Sequence, residues 1–269
     1  MTVKTISSMQ NPWLKEILAL QDKSKNRRSK ALFSVEGLNE IRLAIVGGFE
    51  IKQIAINPKN ITWANLLDAL AINILPNACE KLELADAVWS KLVLRETGQN
   101  ALAVFVMPPM QTLWKPKENG FYLIVESVEK PGNLGALLRS ADAVGVDGVV
   151  FCDDQIDVFH PQVIRNSVGC SFTLPLFFLH SASVWKAIQL YNVQLFTTFM
   201  EESAVAWDTD LRGKVAFLVG TEHSGVSEFW RMKGMNISLP MFGKVDSLNV
   251  SVAAALLLYE CKRQRTLLG

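Results

Sequence analysis

The chain of 269 residues is half apolar (49%) and one-fifth charged (20%), with 27 lysines and arginines set against 26 acids. That balance fits one large or two ordinary compact domains and excludes a disordered tail, a collagen-like repeat and a disulfide miniprotein. A net charge of +1 gives no bulk case for a nucleic-acid or membrane partner, although the first 118 residues carry 15 basic against 11 acidic side chains and the rest 12 against 15.

The first predicted element is a helix over residues 12–21, opened by Pro12, with Trp13, Ile17, Leu18 and Leu20 on one side. A basic run follows: Lys23, Lys25, Arg27, Arg28 and Lys30, interleaved with serine and asparagine. Such a run reads either as a solvated loop or as a contact to a phosphate backbone. ALFSVEG, GLNEIRLAIVGG, FEIKQIAIN, ITWANLLDALA, INILP, ADAVWSKLVL and ALAVFVMP then alternate strand-like and helix-like pieces, with Gly47 and Gly48 as a helix stop. The alternation predicts a small α/β unit. PPMQTLWKPKENG, with three prolines and no periodicity, reads as a linker. The expected division is a first domain over 1–110, a linker over 111–118 and a second domain over 119–269.

The second half repeats the rhythm. FYLIVESV is a nearly continuous apolar run, as in a parallel strand buried on both faces. GNLGALLRSADAVG, HPQVIRNSVG and SASVWKAIQLY read as helices; DGVVFC, TLPLFFL, VQLFTTFM, KVAFLVG and NISLP read as strands; a last helix runs from about Asn249 to Arg265. An open α/β sheet of this kind binds ligands outside the carboxyl ends of its strands. Cys79, Cys152, Cys170 and Cys261 form no Cys-x-x-Cys pair, and His160, His180 and His223 do not flank them at zinc-ligand spacing. Four reduced thiols and no metal are expected. The first residues lack an apolar signal segment, and the apolar run in SVAAALLLY is shorter than the ~18–20 residues that span a bilayer. The expectation is a soluble, cytoplasmic protein with no membrane partner.

Three loops carry the chemistry, each following a predicted strand. In EKPGNLGALLR (129–139), Pro131 and Gly132 turn the chain, Asn133 is placed to cap the next helix, and Arg139 lies under two turns further on. In LVGTEHSGVS (218–227), Glu222 stands between two glycines. In LPMFGKVDSLNVSV (239–252), Ser247 sits at the mouth of the last helix with Asn249 two residues later. Singly, each residue has an ordinary reading: Asn133 and Ser247 as helix caps, Arg139 as a surface ion-pair partner, Glu222 as an acceptor for backbone N–H groups. A nicotinamide-binding unit needs G-x-G-x-x-G, whereas the spacing here is G-x-x-G, which lacks the glycine that admits a pyrophosphate.

Taken together, NLGALLRSADAVGVDGVVF, LVGTEHSGVS and LPMFGKVDSLNVSVAAALLLYE resemble, in order and spacing, the three motifs of the SpoU-type (TrmH-like) branch of the SPOUT superfamily. FSVEG before a helix ending in two glycines is similar to the L30e-like RNA-binding domain of that family. The resemblance implies an α/β fold with a trefoil-knotted parallel-sheet domain at the C-terminus, homodimerisation, and S-adenosylmethionine-dependent methylation of RNA ribose 2′-hydroxyls. Ribosomal RNA is the favoured substrate and transfer RNA the alternative; a non-catalytic RNA-binding protein is the competing class. Carried over by position, Asn133, Arg139, Glu222, Ser247 and Asn249 would form the catalytic set. Thr198, Gly220, Leu239, Met241 and Leu248 would hold the cofactor, and Arg165 with the basic run at 23–30 would meet RNA.

Overall fold

The computed structural model describes residues 3–93, 100–128, 130–152, 156–199, 203–221 and 225–266. In chain order the first elements are β1 (Lys4–Ile6), α1 (Pro12–Asp22), α2 (Ser24–Lys30), β2 (Leu32–Glu36), α3 (Leu38–Val46), β3 (Ile51–Ile56) and α4 (Trp63–Ala69). β4 (Glu80–Leu84), α5 (Asp86–Leu92), β5 (Ala101–Val106), β6 (Phe121–Val125), α6 (Pro131–Val144), β7 (Gly148–Phe151) and α7 (Pro161–Asn166) follow. The remainder is β8 (Leu176–Phe178), α8 (Ser181–Leu190), β9 (Gln194–Thr197), β10 (Ala204–Val205), β11 (Val215–Val219), β12 (Met235–Ser238) and α9 (Val250–Thr266).

Two compact units result. One comprises Met1–Pro109 together with Asp157–Thr173, the other Met110–Ile156 together with Leu174–Gly269. The division is therefore not a single cut: the α7 segment, which the sequence places in the second domain, joins the first unit. Aromatic packing and one ion pair explain this. Phe33 stacks on Phe159 and Phe172, with ring centroids 4.4 and 5.8 Å apart, and Arg27 pairs with Asp157.

The first unit has a five-stranded sheet in the order β1-β4-β3-β5-β2. β1, β4 and β3 run parallel, while β5 is antiparallel to both β3 and β2. Helix α1 starts as its sequence dictates: Asn11 Oδ1 accepts from Trp13 N at 2.9 Å and Pro12 occupies the first turn. Leu14, Ile17 and Leu20 then bury one stripe against Leu82, Leu84 and Val104. The basic run at 23–30 is a helix, α2, rather than a loop.

The second unit is a seven-stranded parallel sheet in the order β10-β12-β9-β11-β6-β7-β8. Every residue of β6 and β11 is buried, which accounts for their unbroken apolar sequences. The register brings Val219 opposite Val125 and Leu218 opposite Thr197, so β6, β11 and β9 end level with one another. The segment expected to be a linker instead lies on this unit. Gln111 O accepts from Phe178 N at 2.8 Å, and buried Trp114 meets Tyr122 edge-on with centroids 5.1 Å apart. Prolines and the lack of periodicity suggest a linker; a buried tryptophan with an aromatic partner holds the segment against the sheet.

Candidate active site

Level strand ends place the loops after β6, β9, β11 and β12 along one edge of the sheet, and a cavity of about 1040 Å³ lies among them. It is lined by Glu126 and Ser127 after β6, by Thr198 and Phe199 after β9, and by Gly220, Thr221, Gly225–Glu228 and Arg231 after β11. Leu239–Met241 and Asp246–Leu248 after β12 complete it, with Val250, Ala253 and Leu257 of α9.

The β11 loop is a tight turn for a steric reason. Thr221 N donates to Gly225 O at 2.9 Å and Gly225 N donates back to Thr221 O at 3.2 Å. A Cβ built on Gly220 would stand 2.1 Å from Gly225 O, so no larger residue fits there. Gly225 itself has φ +65°, a conformation that side chains disfavour. Glu222 belongs to this turn by sequence and lies outside the described residues.

An acid absent from the sequence-derived set organises the wall. Glu126, 6% exposed, accepts four hydrogen bonds. Oε1 receives Trp230 Nε1 at 2.8 Å, Ser227 Oγ at 2.9 Å and Ser181 Oγ at 3.3 Å, and Oε2 receives Ser227 N at 2.8 Å. A buried carboxylate saturated in this way ties the end of β6 to the loop after β11 and to the start of α8. Its sequence signal was present: an acid directly after an all-apolar strand, in FYLIVES.

The cap of α9 is Asn249, not Ser247. Asn249 Oδ1 accepts from Ser251 N at 3.0 Å and from Ser251 Oγ at 2.6 Å. Asn249 Nδ2 also donates to Asn133 Oδ1 at 3.2 Å, joining motif three to motif one. Asn133 is likewise not a cap, because α6 begins two residues earlier at Pro131 and its flanking Lys130 makes no side-chain capping bond. Ser247 lines the cavity. Arg139 is on α6, exposed, and is not among the residues lining the cavity. All five expected cofactor residues, Thr198, Gly220, Leu239, Met241 and Leu248, line it.

Outcomes for the basic residues differ. Lys23, Lys25, Arg28 and Lys30 are exposed, Lys30 with an ion pair to Glu16. Arg27 is corrected: its side chain is 1% exposed and unavailable to a phosphate. Its Nε donates to Asp157 Oδ2 at 3.0 Å, and its Nη1 donates to the carbonyls of Leu20 and Gln21 in the last turn of α1. Helical spacing turns one member of the run inward, where a charge persists only with partners. Arg165 is half-exposed on α7, in the first unit. Cys79, Cys152 and Cys261 are buried and Cys170 half-buried, all as free thiols; burial pushes the Cys79 thiol up to about 11 and the Cys261 thiol up to about 12. No group of metal-ligating side chains occurs among the described residues.

Residues 120–259 match the SpoU rRNA Methylase family. The chain belongs to that family. Residues 11–103 match the MRM3-like substrate binding domain. The chain is 28% identical to the 23S rRNA (guanosine(2553)-2′-O)-methyltransferase RlmP of Bacillus subtilis, over 97% of this chain and 100% of the relative. A crystal structure of an RNA 2′-O ribose methyltransferase superposes with a TM-score of 0.84 at 36% identity, covering 97% of this chain and 99% of that one. The SpoU methyltransferase AviRb from Streptomyces viridochromogenes, solved in complex with AdoMet, superposes with a TM-score of 0.84 at 27% identity, covering 96% and 99%. This SpoU-family protein is an RNA methyltransferase that uses S-adenosylmethionine.

The cavity suits that cofactor on its own chemistry. Leu239, Met241, Leu248, Ala253 and Leu257 supply apolar surface for an adenine. Among the described lining residues the acids Glu126, Glu228 and Asp246 outnumber the one cation, Arg231, which pairs with Glu228 at 2.7 Å. That sign balance favours a sulfonium.

Proposed function

We propose that this SpoU-family chain methylates a ribose 2′-hydroxyl of ribosomal RNA, large-subunit RNA being favoured and transfer RNA the alternative. The observation that carries the reading is the convergence of four post-strand loops on one cavity, with the Asn133–Asn249 hydrogen bond at its margin. Relatives named as 23S rRNA methyltransferases and the substrate-binding match over 11–103 support the choice of RNA.

S-adenosylmethionine supplies, when bound, a methyl group already activated for displacement by its sulfonium. The chain's task is to align the ribose oxygen and to stabilise it as its proton leaves, since a 2′-hydroxyl is a very weak acid. Arg139 carries a planar guanidinium whose N–H groups are all donors, which suits it to an oxygen acceptor. Its role is to stabilise charge developing on the oxygen. Asn133, Ser247 and Asn249 are neutral hydrogen-bonding groups that orient the ribose without adding a charge near the sulfonium. Glu126 keeps the wall in shape, and Glu222 is read as a second organiser of the same turn.

A homodimer belongs to the same reading. Val252, Leu256 and Tyr259 form an exposed apolar stripe on α9, which packs against α6, the helix that carries Arg139. A second copy seated on this helix pair would bury the stripe and strengthen the field of the guanidinium by removing water. The cytoplasm, where RNA maturation can be reached, is the proposed compartment.

Mapping of ribose methylation in ribosomal and transfer RNA from cells with and without the gene tests the function. One 23S position that loses its methyl group, and regains it on incubation with the purified chain and S-adenosylmethionine, is the expected result. An unchanged methylation map rejects the reading.

A further inference from the structure

We propose that Phe242 and Lys244 form a clasp for the RNA nucleotide presented to the cavity, the phenyl ring stacking on a base and the ammonium meeting a backbone phosphate. The proposal rests on the RNA reading above. Both residues stand in the loop joining β12 to α9, and that loop is anchored in the cavity wall on either side of them, by Met241 and by Asp246–Leu248.

A single exposed apolar side chain needs no explanation, but three features set this one apart. Phe242 is 92% exposed, the most exposed aromatic side chain among the described residues, the next being Tyr259 at 54%. Val245, 63% exposed, extends the same apolar tip. Lys244, between them, is exposed and forms no ion pair with a described carboxylate, although Asp246 stands two residues away.

The tip thus offers one flat apolar face and one cation at the edge of the cavity. Those are the two chemistries that a nucleotide carries together, a π-face and a phosphate. Single-stranded RNA is characteristically held by stacking its unstacked bases on aromatic side chains. An apolar contact to a second copy of the chain would need the ring but not the lysine.

The test measures binding of a 23S rRNA transcript to the full chain by fluorescence anisotropy over a range of salt concentrations. Calorimetric titration with S-adenosylmethionine and sedimentation mass accompany it. Phe242→Ala should weaken RNA binding by about 5- to 150-fold, the range that loss of one base–aromatic stack gives, with cofactor affinity and mass unchanged. Phe242→Trp should restore it. Lys244→Ala should lower the slope of log affinity against log salt by about one. Wild-type RNA affinity in Phe242→Ala, or an unchanged salt slope in Lys244→Ala, overturns the clasp. So does a fall to the monomer mass in Phe242→Ala, which would assign the ring to a second copy. Failure of the unaltered chain to bind or methylate the transcript rejects the RNA reading itself; a competent wild type with an indifferent Phe242→Ala rejects the clasp alone.

Discussion

The two sheets of this protein differ in strand direction, and the second gathers a constellation of loops at one edge. In the first unit β5 runs against both of its neighbours, β3 and β2, so the carboxyl ends of the strands are split between two edges. In the second unit all seven strands run one way and three of them end level. Four loops therefore leave from one edge, and residues more than a hundred positions apart, such as Glu126 and Ser227, meet there. Strand direction decides at which edge such chemistry can be assembled.

That contrast can be broken by substitutions confined to one unit. The largest effect is expected at Arg139: Arg139→Ala should lower methyl transfer by about 10²- to 10³-fold, the scale of losing one electrostatic stabiliser. Melting temperature and calorimetric cofactor affinity should stay near wild type. Full activity in this variant would remove the residue from the site.

Arg27 should behave in the opposite way. Arg27→Ala leaves Asp157 and two carbonyls of α1 without their donor and should cost the first unit roughly 3–5 kcal/mol, as for other broken buried pairs. Chemical denaturation followed through the first unit measures this, while cofactor affinity in the second unit should survive. Replacing exposed Lys23, Lys25 and Arg28 together should change the salt dependence of RNA binding and leave stability alone. Equal melting of both variants would erase the distinction.

Glu126→Ala sharpens the comparison from the other side. It strands Trp230 Nε1 and the Ser227 backbone N–H and should cost the second unit about 3 kcal/mol. Cofactor affinity should fall, because the loop after β11 loses its tie. Unimpaired titration with S-adenosylmethionine would show that Glu126 is not what holds the wall.

The smallest expected effect concerns pH. Burial, with the nearby Arg27 charge second, holds the His160 imidazole below its ordinary value of 6.5. Its Nδ1 must be neutral to accept from Gln162 N at 3.1 Å and cap α7. The unfolded chain therefore binds the proton more readily. Stability from this group is present above pH 6.5 and is lost as pH falls toward the lowered folded value. Melting curves between pH 7.5 and 5 should show the decline in wild type and a weaker one in His160→Asn, which caps without titrating.

How much of this was legible varies by residue. That Thr198, Gly220, Leu239, Met241 and Leu248 gather around one cavity was legible, because sequence is constrained around a turn whose geometry admits little else: Gly220 tolerates no Cβ. Asn133 and Ser247, read singly as helix caps, are not caps; a cap depends on which residue starts the helix, and Pro131 starts α6 earlier than a reading from Asn133 assumes, while Asn249 caps α9. Arg27 was misread because charge runs are usually solvated, and a sequence does not say which member of a helix faces inward. Glu126 stands out locally only as an acid directly after an all-apolar strand; its four hydrogen bonds come from residues 181, 227 and 230, and that meeting is not written near it in the chain.

By itself, the sequence determined the α/β alternation, the family motifs and the chemistry those motifs can carry, since each depends on residues within one turn or one strand. The tertiary structure alone decided that Asp157–Thr173 would leave the parallel-sheet unit, that Arg27 would be buried, and that Asn249 would reach Asn133. Those outcomes depend on packing between segments distant in the chain, where burial of aromatic surface and satisfaction of buried charge outweigh any local preference.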